Sequence, residues 1–166
     1  ANVSNVTVSP NLAASNASRS WGHFNKGTTA FPFSKGIVLA TGFARNAGNS
    51  YIASTLSDDI GTGGDSDLSK AMGGGATYFD ATSVEFDFVP QSTQISFNYL
   101  FASEEYSWSN SFPCSGYTDG FALLLKKVGD ANYTNMAVLP GGAGPVSVTN
   151  IIPSKFSCGP LNAQYF

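Results

Sequence analysis

The chain has 166 residues and a mass of 17.3 kDa, which fits one domain with a real core, so we expect a single domain over residues 1–166. Charged residues make up 11%, against about 25% in typical soluble domains, and apolar residues make up 42%, which excludes a disordered chain. With 8 basic and 11 acidic residues and a net charge of −3, neither nucleic acid nor an anionic membrane is an expected partner.

No apolar stretch of the sequence approaches the roughly 20 residues that cross a bilayer, so we expect no membrane insertion by this domain. The opening residues Ala1-Asn2-Val3 are typical of a chain that has lost a signal peptide, although a chain cut from a longer one would begin the same way. Because Ser, Thr, Asn and Gly are abundant while Lys and Glu are scarce, we expect a secreted protein.

Short segments of strand composition, each bounded by Gly, Pro, Asn or Ser, dominate the sequence. They lie at 6–8, 36–41, 82–89, 94–101, 119–126, 136–139 and 145–150. This pattern predicts an all-β, mostly antiparallel fold with one or two short helices. We favour a jelly-roll-like β-sandwich of two packed sheets, with another β arrangement as the alternative.

The clearest strand signal is the alternation within 82–89, where Val84, Phe86 and Phe88 alternate with Glu85 and Asp87. One face should therefore enter a core while the other meets water. Segment 94–101 repeats the alternation, and residues 90–93 fit a turn. We expect the two segments to form an antiparallel hairpin with one wet face.

Two short helices are predicted. Ser9 and Pro10 fit the cap and first position of a helix over 11–17. Segment 66–72 offers Ser66 as a cap and Asp67 as a first-turn acid, and the glycines at 73–75 end it. The polar stretch 48–65 is typical of a long loop, and such loops are usually functional.

The chain has two cysteines, Cys114 and Cys158. In an oxidising compartment we expect them to form a disulfide, whose long loop contributes roughly 3 to 4 kcal/mol. Two buried thiols are the alternative.

Two adjacent carboxylates, Glu104 and Glu105, follow directly on a predicted strand. On a continuing strand they would point to opposite faces, so one would turn inward unless the chain bends. A buried carboxylate needs a cation, hydrogen bonds or a raised pKa. Because Asp119 starts the next strand, we expect one of the glutamates to meet it at a rim of the sheet if the two strands are neighbours.

A second acidic cluster contains Asp65 and Asp67 in a glycine-rich turn, with Asp58 and Asp59 upstream. Closely spaced short carboxylates suit the 6 to 8 oxygen ligands of Ca²⁺, although this is not an EF-hand loop. As a hypothesis we expect Ca²⁺ as cofactor, with the metal ligands Asp65, Asp67, Glu104, Glu105 and Asp119. In the alternative, Asp67 is a helix N-terminal acid, Asp65 caps a turn and the glutamates are hydrogen-bonded to backbone.

Catalytic patterns are weak, and we expect no enzyme. A glycoside hydrolase using Glu104 or Glu105 is a lesser alternative, because it needs two acids at a separation that a sequence does not give. The single histidine, His23, and the lack of a Gly-x-Ser-x-Gly motif disfavour Ser-His-Asp chemistry. One His and two Cys also disfavour a structural zinc site.

Aromatic residues cluster in the loop beside the acids. Exposed aromatics near polar groups are typical of sugar and peptide sites. Tyr106, Trp108 and Tyr117 are therefore candidate ligand contacts. The alternative is a satellite hydrophobic cluster held by the disulfide.

Six segments, in this order and spacing, together resemble the bacterial choice-of-anchor L domain. They are 36–42, 64–68, 80–90, 97–106, 119–121 and 137–141. The Ala-Ser-Glu-Glu-Tyr block at 102–106 is the most specific. The family resembles exported surface proteins whose anchors differ between lineages, which implies a displayed module. Thr118 stands where the family usually has Asn, and Cys114 and Cys158 are particular to this chain.

We therefore expect a Ca²⁺-stabilised binding or adhesion module that recognises a glycan or peptide. The resemblance implies a secreted module on the bacterial cell surface, within a larger anchored protein. The first alternative is a structural stalk or surface-layer module without a ligand. The second is a carboxylate-dependent glycoside hydrolase.

Overall fold

The computed structural model describes residues 2–10, 19–47, 58–107 and 111–166. The chain divides into two compact units. Unit 1 comprises Ala1–Gly64 and Tyr78–Asn98, and unit 2 comprises Asp65–Thr77 and Tyr99–Phe166. The single domain over 1–166 stays a prediction.

Unit 1 contains two antiparallel strand pairs. β1 (Asn2–Ser9) pairs with β4 (Ser83–Val89), and β2 (Trp21–Asn25) pairs with β3 (Lys35–Leu39). The register of the first pair shifts between Ser4 and Thr7. Asn5 lies in this shift with a φ of 51°, and its Nδ2 donates to Asp87 Oδ2 at 2.7 Å. Asparagine tolerates this left-handed conformation better than most residues, which favours the irregularity here.

The predicted hairpin between 82–89 and 94–101 is wrong. β4 takes β1 as its partner, and residues 94–101 carry no strand. Phe86 remains 40% exposed, so the alternation along β4 does not bury its whole apolar face. Alternation indicates an extended chain but does not specify which strand supplies the hydrogen bonds, and a distant partner is used instead of the nearest one.

β2 is not predicted from the sequence, because Gly22 and His23 interrupt its apolar residues. It is fixed by pairing with β3 and by polar contacts at its start. Ala40 N donates to Ser20 O at 2.8 Å, and Thr82 Oγ1 lies 2.7 Å from Ser20 Oγ and 2.8 Å from Ala40 O. Since Ser20 is buried, these bonds give its polar atoms the partners that burial requires.

Unit 2 holds a buried core and two further antiparallel pairs. β5 (Gly120–Phe121) pairs with β8 (Val146–Ser147), and β6 (Leu124–Leu125) pairs with β7 (Thr134–Asn135). The predicted strand 119–126 is therefore two short strands, and the one at 136–139 is reduced to a bridge between Val138 and Pro145. The core is formed by Leu139, Val146 and Ile151, packed against Phe101, Phe121 and Ala143.

One α-helix and several 3-10 turns occur within the described ranges. The helix is α1 (Ser66–Ala71), which confirms the prediction for 66–72. It is followed by Gly73, whose φ of 100° suits glycine. The 3-10 turns are Ala44–Asn46, Glu104–Tyr106, Phe112–Cys114, Pro140–Gly142 and Ala163–Tyr165. The predicted helix over 11–17 and most of the loop 48–65 lie outside the described residues.

The described fold is thus mostly β, with 3-10 turns, one short helix and small two-stranded antiparallel sheets. Packing of these sheets into a sandwich is not shown and stays a prediction. The predicted disulfide is confirmed, since Cys114 and Cys158 are bonded with their Cα atoms 5.5 Å apart.

Candidate functional site

The two aspartates of the glycine-rich turn, Asp65 and Asp67, interact with the helix α1. Asp65 is the N-cap, and its Oδ1 accepts hydrogen bonds from Asp67 N at 2.8 Å and Leu68 N at 2.7 Å. The cap is therefore Asp65 and not Ser66, because a carboxylate one residue earlier reaches the free N–H groups of the first turn. Asp67 follows in that turn and pairs with Lys70 at 3.0 Å on an exposed face.

The glutamate pair lies at a bend of the chain. A bend was one of the two arrangements expected for adjacent carboxylates after a strand. Glu104 and Glu105 begin the 3-10 turn Glu104–Tyr106, whose cap is Ser103. Ser103 Oγ accepts from Glu105 N at 3.2 Å and lies 3.3 Å from Glu105 Oε2, to which it can donate. The cap at Ser103 is not among the residues singled out from the sequence, although a serine directly before two acids is a cap signal.

Three carboxylates meet at this turn, because Asp119 lies beside the two glutamates. The backbone N–H of Asp119 donates to the Glu105 carboxylate. Burial and the negative charges of Asp119 and Glu104 raise the pKa of Glu105 to about 7. Burial and the charge of Glu104 also raise the pKa of Asp119. Asp119 and the glutamates therefore lie close enough to interact, as expected, although no neighbouring strand at 94–101 brings them together.

Tyr106 ends the same turn and is held by contacts within unit 2. Its hydroxyl donates to Ile151 O at 2.8 Å, and its backbone oxygen accepts from Lys155 Nζ. Its ring packs edge-on against Phe166, with 5.0 Å between the ring centroids. Burial and the charge of Glu105 raise the pKa of Tyr106 to about 12. These are the contacts of a structural residue, and its predicted role in ligand binding stays a prediction.

The other predicted aromatics differ in their setting. Tyr117 is 73% exposed and makes an edge-on contact with Phe112, with ring centroids 6.4 Å apart. Phe112 belongs to the turn Phe112–Cys114, which packs against the turn that carries the glutamates. An exposed aromatic pair therefore lies near the carboxylates. Trp108, the third predicted contact, lies outside the described residues.

Thr118 stands between Tyr117 and Asp119, where the family resemblance leads one to expect Asn. Its Oγ1 donates to Asp119 O at 3.0 Å and accepts from Thr149 N at 3.3 Å. The hydroxyl thus fixes the chain beside the acid. No side-chain amide is present at this position to act as an ion ligand.

The five predicted metal ligands do not form one assembled cage. Glu104, Glu105 and Asp119 are brought together, whereas Asp65 and Asp67 have their own partners on α1. Across the described ranges, no group of three or more His, Cys, Asp or Glu side chains is placed to hold a metal ion. The arrangement thus brings three acids together at one turn, and the neighbouring turn carries the exposed aromatic residue Phe112.

Comparison with known proteins gives one result. The profile of the choice-of-anchor L domain matches residues 1–166. No curated protein and no solved structure matches the chain. In the part of the chain that the structure describes, no helix has the length and apolar character needed to span a bilayer. The domain type and the disulfide suggest an exported protein. Because the match covers every residue, the chain belongs to the choice-of-anchor L domain family.

Proposed function

We propose that this domain is a binding or adhesion module of a larger anchored protein, secreted and displayed on a bacterial cell surface, and that it recognises a glycan or a peptide. The observation that carries the proposal is the gathering of three acids, Glu104, Glu105 and Asp119, next to the turn whose Phe112 forms an exposed aromatic pair with Tyr117. Acceptors that bind hydroxyl or N–H groups, next to aromatic faces, are the usual composition of sugar and peptide sites. The role is recognition and not catalysis.

The β-sandwich belongs to this proposal. Apolar side chains are exposed on the two-stranded sheets, including Ile37 on β3 and Val89 on β4. Packing of sheet on sheet would remove such side chains from water, which favours the sandwich by about 25 cal/mol for each Å² of apolar surface covered. A rigid sandwich would hold the recognition loops at one end.

We propose Ca²⁺ as the stabilising ion, with Glu104, Glu105 and Asp119 as its principal ligands. Support comes from their mutual repulsion, which a divalent cation would relieve. The three side chains must converge further than they do here before they close around an ion. Asp65 and Asp67 are weaker candidates, because binding would compete with the cap of α1 and with the Lys70 contact.

The binding role is tested by retention of the protein on immobilised polysaccharides and peptides, with and without Ca²⁺. Tyr117→Ala should abolish retention. Phe79→Ala is the matched control, because Phe79 is a similarly exposed aromatic side chain in unit 1 and should not matter. Equal retention of both variants, or no retention of the unmodified protein on any support, would overturn the proposed binding face.

A structural stalk or surface-layer module without a ligand is the second candidate. It is favoured by the internal partners of the acids, since Asp65 caps α1, Asp67 pairs with Lys70 and Glu105 accepts from backbone. In this case the acids only fasten loops. Such a module should bind none of the supports above, although Ca²⁺ could still stabilise it.

A glycoside hydrolase has one supporting feature, the Glu105 pKa of about 7, which suits a general acid at neutral pH. We propose that it is not one, because the reaction needs a second carboxylate at a set separation across the scissile bond, and no such pair is established at this turn. Turnover of any tested glycoside that Glu105→Gln abolishes while the fold remains intact would reverse this assignment.

A further inference from the structure

A small cavity lies between α1 and the β6–β7 hairpin in unit 2. Its volume is about 170 Å³, and none of the three clustered carboxylates lines it. Since drug-sized ligands occupy roughly 300 to 1,000 Å³, the cavity suits a single ring or one residue of a longer ligand. The polar lining comes from Asp67, Lys70, Asn132, Tyr133 and Asn135.

The charges in this lining balance each other. Asp67 and Lys70 pair at 3.0 Å, so the cavity presents one carboxylate and one ammonium group with no net charge between them. Both groups keep hydrogen-bonding capacity beyond their mutual contact, since a carboxylate accepts several bonds and an ammonium donates three. This favours a neutral ligand that both donates and accepts, such as a polyol.

The side chain of Asn135 is fixed by the backbone and leaves a donor unused. Its Oδ1 accepts from Leu123 N at 3.2 Å and from Ala137 N at 3.0 Å, which sets the orientation of the amide. Its Nδ2 is buried and has no hydrogen-bond partner. Buried polar groups without partners are rare, but this nitrogen is closed off from water, so a ligand in the cavity would reach it only if the lining moved.

Tyr133 supplies the aromatic surface. It is 37% exposed, and Lys126 Nζ lies 4.2 Å from its ring centroid. Aromatic rings pack against the C–H faces of sugars, while amides and charged groups bind the hydroxyls. Asn132, exposed on the loop before β7, adds a second amide to the rim.

We propose that this cavity binds one neutral sugar residue, with Tyr133 against the ring, Asn132 and the Asp67–Lys70 pair at its hydroxyl groups, and Asn135 in the lining. The inference rests on the proposed binding role of the module, but it uses different residues. It therefore makes the cavity a subsite for one unit of a glycan, distinct from the aromatic pair at Tyr117.

The test is chemical-shift mapping of the ¹⁵N-labelled protein with the methyl glycosides of glucose, galactose, mannose and N-acetylglucosamine at millimolar concentration. At least one of them should shift the amide signals of Tyr133 and Asn135. Tyr133→Ala should weaken that binding about tenfold or more. Tyr165→Ala is the matched control, because Tyr165 in the same unit is similarly exposed and does not line the cavity. Asn132→Ala provides a second variant at an exposed position, where loss of the fold is not expected.

Absence of shifts at Tyr133 and Asn135 with all four glycosides would overturn the inference. Glycine serves as a zwitterionic comparison probe, and shifts produced by glycine alone would also overturn it. Retention on polysaccharide that depends on Tyr117 but not on Tyr133 would refute the subsite while leaving the proposed function intact. Conversely, sugar shifts that persist when no support retains the protein would support the subsite and contradict the aromatic face at Tyr117.

Discussion

Neutralising one carboxylate should stabilise the folded protein at alkaline pH. Glu105 has a pKa raised from 4.5 to about 7 by burial and by its acidic neighbours. The folded protein therefore binds this proton more tightly than the unfolded chain. The contribution to the free energy of unfolding is complete below pH 4.5 and is lost as the pH rises through 7. Glu105→Gln removes this loss, because its side chain carries no charge at any pH.

The magnitude follows from the size of the rise in pKa. Without screening, the rise corresponds to an upper bound of about 3 kcal/mol. Because Glu105 is only half-buried, solvent reduces this to about 1 to 2 kcal/mol. Glu105→Gln should thus be more stable than the unmodified protein by about 1 to 2 kcal/mol at pH 8, and nearly equal to it at pH 4.

Urea unfolding followed by circular dichroism at pH 4, 6 and 8 measures this difference, in a buffer free of divalent ions. Glu85→Gln is the control, because Glu85 is exposed on β4, where a change of about 0.5 kcal/mol or less is expected. A Glu105→Gln protein that is less stable at pH 8, or that differs equally at all three pH values, would refute the reasoning. NMR titration of the Glu105 carboxyl carbon gives the pKa directly.

Three further predictions concern stability. Replacing both Cys114 and Cys158 with serine should lower the free energy of unfolding by about 4 kcal/mol, for a loop with a sequence separation of 44, and a loss below about 1 kcal/mol in urea unfolding would contradict this. Asp65→Ala should lower the free energy of unfolding by about 1 kcal/mol, whereas Asp65→Asn should change it little, because asparagine also caps helices. Equal losses in the two variants would refute the role of Asp65 as the cap. Val148→Ala should cost about 2 kcal/mol by thermal unfolding, because Val148 has 0% exposure, and a neutral result would contradict its burial.

Local chemistry explains the parts of the fold that could be predicted. The sequence signals for α1 are an acid in the first turn and glycines after its end, and both act within a few residues. The disulfide could be predicted because two cysteines allow one pairing. The all-β character follows from short apolar segments separated by turn residues.

The partners of the strands could not be predicted in the same way. β4 pairs with β1 and not with the segment at 94–101, since alternation indicates an extended chain and not the identity of the neighbouring strand. β2 contains Gly22 and His23, which lower its strand signal, and it is fixed by its tertiary partner β3. Long-range pairing is decided by packing, which a single sequence does not display.

The candidate site shows the same division. The proximity of a glutamate to Asp119 was expected from two neighbouring strands, but residues 94–101 form no strand and a 3-10 turn carries the glutamates instead. The bend that allows it depends on Ser103, whose hydroxyl caps the turn. From the sequence, Asp65 could be either a cap or a Ca²⁺ ligand, since a short carboxylate suits both roles. Residue types alone do not separate these two roles.

The most direct test of the account is thermal unfolding of the metal-stripped protein at pH 8, with and without millimolar Ca²⁺ and with Mg²⁺ as the comparison ion. An ion that binds the folded state at 100 times its dissociation constant adds about 2.7 kcal/mol, which is a rise in melting temperature of roughly 5 to 10 °C. We expect a Ca²⁺-selective rise that Glu105→Gln abolishes and Asp65→Asn retains. No rise with Ca²⁺, or a rise that survives in Glu105→Gln, would contradict an ion site at Glu104, Glu105 and Asp119.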